Sequence, residues 1–197
     1  LRQTGSARIT GRVAPAPRQA QTGEYTVQER VRREEDDMAE AKDILRPTDD
    51  EARALARGLM DAARFAALAV VAEEGPQVSR VALATTPEGF PVSLVSGLAL
   101  HTRALAADPR ASLLIGEPGA KGDPLTHPRL SLSATARFIA RGTAEHEALR
   151  AHWLALRPKS TLYVDLPDFR FVVFTPTGAS LNGGFGRAFR LTAEDLG

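Results

Sequence analysis

Cysteine is absent from the 197-residue sequence, which removes disulfides, thiolate metal ligands and a cysteine nucleophile. Long hydrophobic runs are also lacking: the longest is the eight residues Phe65 to Ala72, against the ~20 that a spanning helix needs. Neither sign of charge dominates. Twenty-five Lys and Arg face 24 Asp and Glu; residues 1–37 hold seven basic and six acidic side chains, leaving 18 of each elsewhere. A neutral domain lacks the electrostatic footprint of a nucleic-acid or anionic-membrane binder, so neither partner is expected. Residues 1–20 contain no apolar segment of the kind a secretory signal carries, and a cytoplasmic location is expected.

Familiar catalytic patterns are missing too. No Gly-x-Ser-x-Gly elbow and no Gly-Lys-Ser/Thr phosphate loop occurs. The four histidines, His101, His127, His146 and His152, form no His-Glu-x-x-His zinc pattern, and no metal site is expected. Gly184, Gly186 and Ala188 suggest a dinucleotide loop, but its third glycine, following helix and downstream acid are missing, so Gly183-Gly184-Phe185-Gly186 reads as a hairpin.

What is present is enough for one globular domain, with 43% hydrophobic residues. Residues 1–37, rich in Arg, Gln, Gly and Pro, read as a disordered or loosely attached arm, and Met38 as a possible native start. The spacing then predicts a helix over 49–64, capped by Thr48 with Glu51 completing a capping box. Strands follow at 65–72, 77–84 and 90–95, then a short helix over 101–107 and strands at 111–116 and 129–140. A helix over 144–156, capped by Thr143, precedes strands at 169–174, 179–182 and 188–191. Strands joined by hairpins with single inserted helices predict an α+β domain over 44–197, built on a small antiparallel barrel.

Two features suit an anion. Arg80 lies mid-strand in Val78-Ser79-Arg80-Val81-Ala82-Leu83; alternation turns it either to solvent or into a pocket, where its permanent charge needs an anion. In Ser93 to Arg103 a strand runs into a helix start at which His101, Thr102 and Arg103 gather an imidazole, a hydroxyl and a guanidinium around free amides. That cup suits a phosphate monoester, unless Thr102 merely caps the helix and the basic groups face water.

Taken together, Arg80 to Leu83, Ser93 to Ser96 and His101 to Leu105 running into Asp108 to Leu114 resemble the pyridoxamine 5′-phosphate oxidase-like, FMN-binding split-barrel superfamily. The segments Gly122 to Arg129, Tyr163 to Arg170 and Gly183 to Gly186 are similar to its haem-utilisation (HugZ-like) branch. The resemblance implies an antiparallel split β-barrel, a homodimer with interfacial FMN sites, and a flavin-dependent oxidoreductase. Arg80 and Arg103 would hold the FMN phosphate, with His101 and Thr102 completing the cup. Val81, Ala82, Leu94, Val95 and Ser96 would lie along the ribityl chain and isoalloxazine. The alternatives are a haem-binding or haem-degrading protein, and a non-catalytic dimeric barrel that takes another phosphorylated ligand. Two departures stand out: the phosphate motif reads His101-Thr102-Arg103 where the oxidases carry a lysine, and no histidine follows His152, whereas haem-degrading relatives carry a late ligating one.

Overall fold

The structure, a computed structural model, describes residues 45–184 and 186–197. The arm expected over residues 1–37, the start at Met38 and the first residue of the predicted domain, Ile44, lie outside the described residues. Three helices of eight or more residues, α1 (Asp50–Ala62), α2 (Leu100–Ala107) and α3 (Ala144–Leu156), accompany nine strands. These are β1 (Leu45–Arg46), β2 (Phe65–Ala72), β3 (Gly75–Ala82), β4 (Ala84–Thr85), β5 (Pro91–Ser96), β6 (Arg110–Ile115), β7 (Arg129–Phe138), β8 (Phe169–Asn182) and β9 (Ala188–Thr192). No helix among the described residues is long and apolar enough to cross a membrane.

The architecture is the expected α+β split barrel. In the order β3-β2-β6-β7-β8-β5, each strand hydrogen-bonds antiparallel to its neighbour. β5 comes back beside β3 without a ladder between them, and there the Ser93 hydroxyl donates to the Ala82 carbonyl at 2.7 Å. That seam splits the barrel. β8 makes the long span possible, because its first half pairs with β5 and its second half with β9.

Alternation decides which side chains fill the interior. Leu68, Leu113, Leu132 and Phe174 point inward and are buried, covered by Ala52, Ala56 and Met60 of α1 and by Ala104 and Leu105 of α2. A second cluster forms where Leu149 and Trp153 of α3 pack against Phe171, Val173 and Leu94. Trp153 meets the Phe171 ring edge-on at 5.9 Å.

Several boundaries differ from the sequence reading. Asp49, not Thr48, caps α1: its carboxylate accepts from the Ala52 N–H at 2.8 Å. Thr48 instead donates to the Arg190 carbonyl at 2.9 Å, tying the helix start to β9. The strands expected at 169–174 and 179–182 are one strand. Thr175-Pro176-Thr177-Gly178 reads as a turn, yet opposite Ser133 and Ala134 it forms an irregularity in the β7–β8 ladder, where a proline that cannot donate is tolerated. Leu45–Arg46 pairs parallel with β9, a two-residue strand with no pattern to announce it. Gly183, Gly184 and Gly186 do lie in a hairpin, closed by the Gly183 N–H donating to the Arg187 carbonyl at 2.7 Å.

Gly116 ends β6 with φ +105°, and a Cβ there would lie 2.5 Å from the Pro128 carbonyl oxygen. Gly116→Ala is therefore expected to destabilise the fold by about 1–3 kcal/mol, read as a lower urea midpoint.

Candidate functional site

The strand-to-helix turn at the end of β5 is built from hydrogen bonds that the sequence does not announce. The Gly97 N–H donates to the Asp168 carbonyl at 2.6 Å, and the Ser96 hydroxyl donates to the Asp168 carboxylate at 2.6 Å. Asp168 sits at the end of the segment that links α3 to β8. Arg141 fixes that segment, donating to the carbonyls of Val164, Asp165 and Phe169 at 3.4, 3.3 and 3.0 Å, and to that of Leu166. A single guanidinium thus replaces a run of backbone partners, as its fork of donors allows.

Thr102 is buried, and its hydroxyl donates back to the Ser96 carbonyl at 2.6 Å. It caps nothing: α2 has Ala99 at its N-cap and no side-chain cap. Thr102→Val is expected to cost about 1 kcal/mol of stability, measured by thermal unfolding, because a neutral buried hydrogen bond is lost. His101 is half-buried beside it, and burial lowers its pKa, which favours the neutral imidazole. The flanking Leu98 and Leu100 are exposed by 78% and 45%.

The other three histidines are engaged. His127 accepts from the Gly119 N–H at Nδ1 (3.2 Å), which leaves Nε2 to donate to the Lys121 carbonyl (3.0 Å). His146 is buried, edge-on to Phe171, with Nδ1 3.2 Å from the Glu147 carboxylate. His152 donates from Nε2 to the Thr85 carbonyl at 2.8 Å. Only His101 makes no ring hydrogen bond with a described residue, and no group of three or more metal-ligating His, Asp or Glu occurs among the described residues.

The predicted site residues fall into four places. Ser96, His101 and Thr102 come together at the α2 start. Val81 and Val95 lie in the main core and Leu94 in the second cluster, so their side chains face the interior; Ala82 is half-buried against that second cluster. Arg80 points outward from β3, its guanidinium 5.0 Å from the Phe65 ring centre, and makes no ion pair with a described residue. Arg103 is exposed and lines a cleft of about 380 Å³ between α2 and the β2–β3 hairpin, which it shares with Val71, Glu73, Glu74 and Leu100. Arg80 does not line that cleft.

On the outer face of the sheet beside Arg80, small residues alternate with larger apolar ones. Ala67 pairs with Arg80 on one side and Leu114 on the other; Ala69 lies between Val78 and Ser112. Val78 is 69% exposed, and Val71 and Leu114 46% each. Between α2 and β6, three hydrogen bonds from the Arg110 side chain and one from its N–H hold the Asp108 carboxyl at about 2. The stabilisation it provides is in place above the ordinary value of 3.8 and is lost as pH falls through about 2, a sign that a carbon-13 carboxyl titration checks.

The pyridoxamine 5′-phosphate oxidase family model matches residues 48–182, spanning the split barrel and the α2 turn. The chain belongs to this family. Among solved structures, a heme binding protein from Mycobacterium smegmatis is 34% identical with a TM-score of 0.67, over 77% of this chain and 61% of that one. HutZ, the haem storage protein from Vibrio cholerae, shares the fold at 20% identity and a TM-score of 0.55, over 68% of this chain and 94% of that one. The non-canonical heme oxygenase HOZ, chloroplastic, of Arabidopsis thaliana is 32% identical over 60% of this chain, which spans only 35% of that relative's length. The chain thus spans 61% and 35% of the lengths of the M. smegmatis and Arabidopsis relatives.

Proposed function

We propose that this split barrel binds haem at the α2 turn, at the boundary with a second copy of the chain. The observation that carries the reading is His101: a neutral imidazole, without a ring hydrogen bond to a described residue, following two exposed leucines, Leu98 and Leu100. Haem asks for that combination, an apolar surface for the macrocycle and a ligand nitrogen for the iron. The haem-binding M. smegmatis relative and the heme oxygenase from Arabidopsis support it. When bound, haem would supply the iron redox chemistry. The chain's own residues hold the turn: Arg141 fixes Asp168, Asp168 fixes Ser96, and Ser96 fixes Thr102 beside His101.

The exposed outer face of β2, β3 and β6 supports a second copy there. Val71, Val78 and Leu114 stand exposed among smaller residues, and a two-fold pairing of this face buries them. Val71 and Leu100 share a cleft, so a partner on that face borders the His101 turn.

A second reading, an FMN-binding oxidoreductase-type protein, is favoured by Arg80, a cation stacked on Phe65 with no carboxylate bonded to it among the described residues. In that reading Arg80 and Arg103 bind the phosphate. The Thr102 hydroxyl is committed to Ser96, and Arg103 shares its cleft with Glu73 and Glu74, which makes the cup less welcoming to an anion. Absorbance titration with haemin tests the first reading: a saturable Soret band supports it and an unchanged haemin spectrum rejects it. Quenching of flavin fluorescence on parallel titration with FMN tests the second.

A further inference from the structure

We infer that the cleft between the end of α1, β4 and the end of α3 is a separate binding site for the carboxylate or phosphate group of a small anionic molecule. The cleft encloses about 290 Å³, and Asp61, Arg64, His152 and Arg157 line it with Leu83 and Leu156. None of these residues belongs to the haem or flavin readings, and neither Arg80 nor Arg103 reaches it.

Charge is the first argument. Two guanidiniums face one carboxylate, and Asp61 makes no hydrogen bond to either of them. Arg157 is held at the wall: it donates to the carbonyls of Arg64 (2.6 Å) and Leu83 and packs 5.0 Å over the Trp153 ring. Its Nε is buried without a partner among the described residues. Burial and then the like charge of Arg64 both disfavour the charged form of Arg157. An arginine cannot answer that pressure by losing its proton, so an anion brought between the two guanidiniums is what relieves it.

His152 is the second argument. Because Nε2 donates to the Thr85 carbonyl, Nδ1 is left to accept from a hydroxyl carried by the ligand rather than to contact its anionic oxygens. A cation pair beside an imidazole of fixed orientation, in a cleft of this size, recognises one anionic group and a few attached carbons. The planar forks of the two arginines suit either carboxylate or phosphate.

Calorimetric titration of the full chain with inorganic phosphate and with succinate tests the inference. Saturable binding of either is expected; phosphate alone assigns a phosphate ester, succinate alone a carboxylic acid. Arg64→Gln is expected to weaken binding by at least about tenfold, the loss of one charge-assisted contact, with an unchanged unfolding temperature. Arg80→Gln is expected to leave it intact. The ring resonances of His152 should shift on anion addition in the parent protein and stay still in the Arg64→Gln variant. Failure of both anions to bind, binding untouched by Arg64→Gln, binding abolished by Arg80→Gln, or a motionless His152 during saturation would each overturn the assignment.

Discussion

Replacing His101 by alanine is expected to weaken haem binding by at least about tenfold, the scale seen when even a supporting contact to a metal ligand is removed, and to alter the Soret maximum. His127 spends both ring nitrogens on Gly119 and Lys121, His146 is buried against Phe171, and His152 lines the cleft at the end of α3, so none of them shares the α2 turn with His101. The pH dependence has a defined sign. Burial lowers the His101 pKa from 6.5, so the imidazole is neutral at pH 7 and haem affinity falls as pH drops through that lowered value. Stability follows the same direction: below 6.5 the unfolded chain takes up the proton before the folded chain does, and the fold weakens as pH falls through that interval. Added imidazole should restore the ligand field in the alanine variant, which a merely misfolded turn would not allow. An unaltered Soret band and affinity in the variant would remove His101 from the site.

The second large effect concerns assembly. Val78→Glu places one carboxylate per chain, and hence two per pair, on the face proposed to meet a second copy. Burying unpaired carboxylates costs several kcal/mol, so the dimer dissociation constant should rise by at least about 100-fold. Sedimentation is expected to show a dimer for the parent and a monomer for Val78→Glu, and the circular dichroism should match, because Val78 is already 69% exposed in the single chain. Leu114→Glu should act in the same way from the adjacent strand. A parent protein that sediments as a monomer, or a variant that stays dimeric, would place the interface elsewhere.

Helices and strands with strong periodicity were legible from residues alone: α3 with its Thr143 cap, β2 and β7 with their alternation, and the Gly183 to Gly186 hairpin. What escaped the sequence depended on partners distant along the chain. Thr48 was drawn from its expected cap by the carbonyl of Arg190, and Asp49 took its place. Pro176 and Gly178 signal a turn locally, yet the ladders to β7, β5 and β9 carry the strand through them. At the candidate site, the clustering of Ser96, His101 and Thr102 follows from their closeness in sequence. Asp168 and Arg141 could not be found, since an aspartate after a proline and an arginine after a strand are ordinary loop residues until the fold brings Asp168 to Ser96 and Arg141 to the carbonyls around it. The exposed face carrying Val78 and Leu114 is visible only once the register sets β2, β3 and β6 side by side.

Native mass spectrometry of the full chain after incubation with equimolar haemin and FMN tests the central claim most directly. The account predicts a dimer carrying haem, and a His101→Ala dimer without it. A dimer carrying only FMN, or a bare monomer, would contradict it.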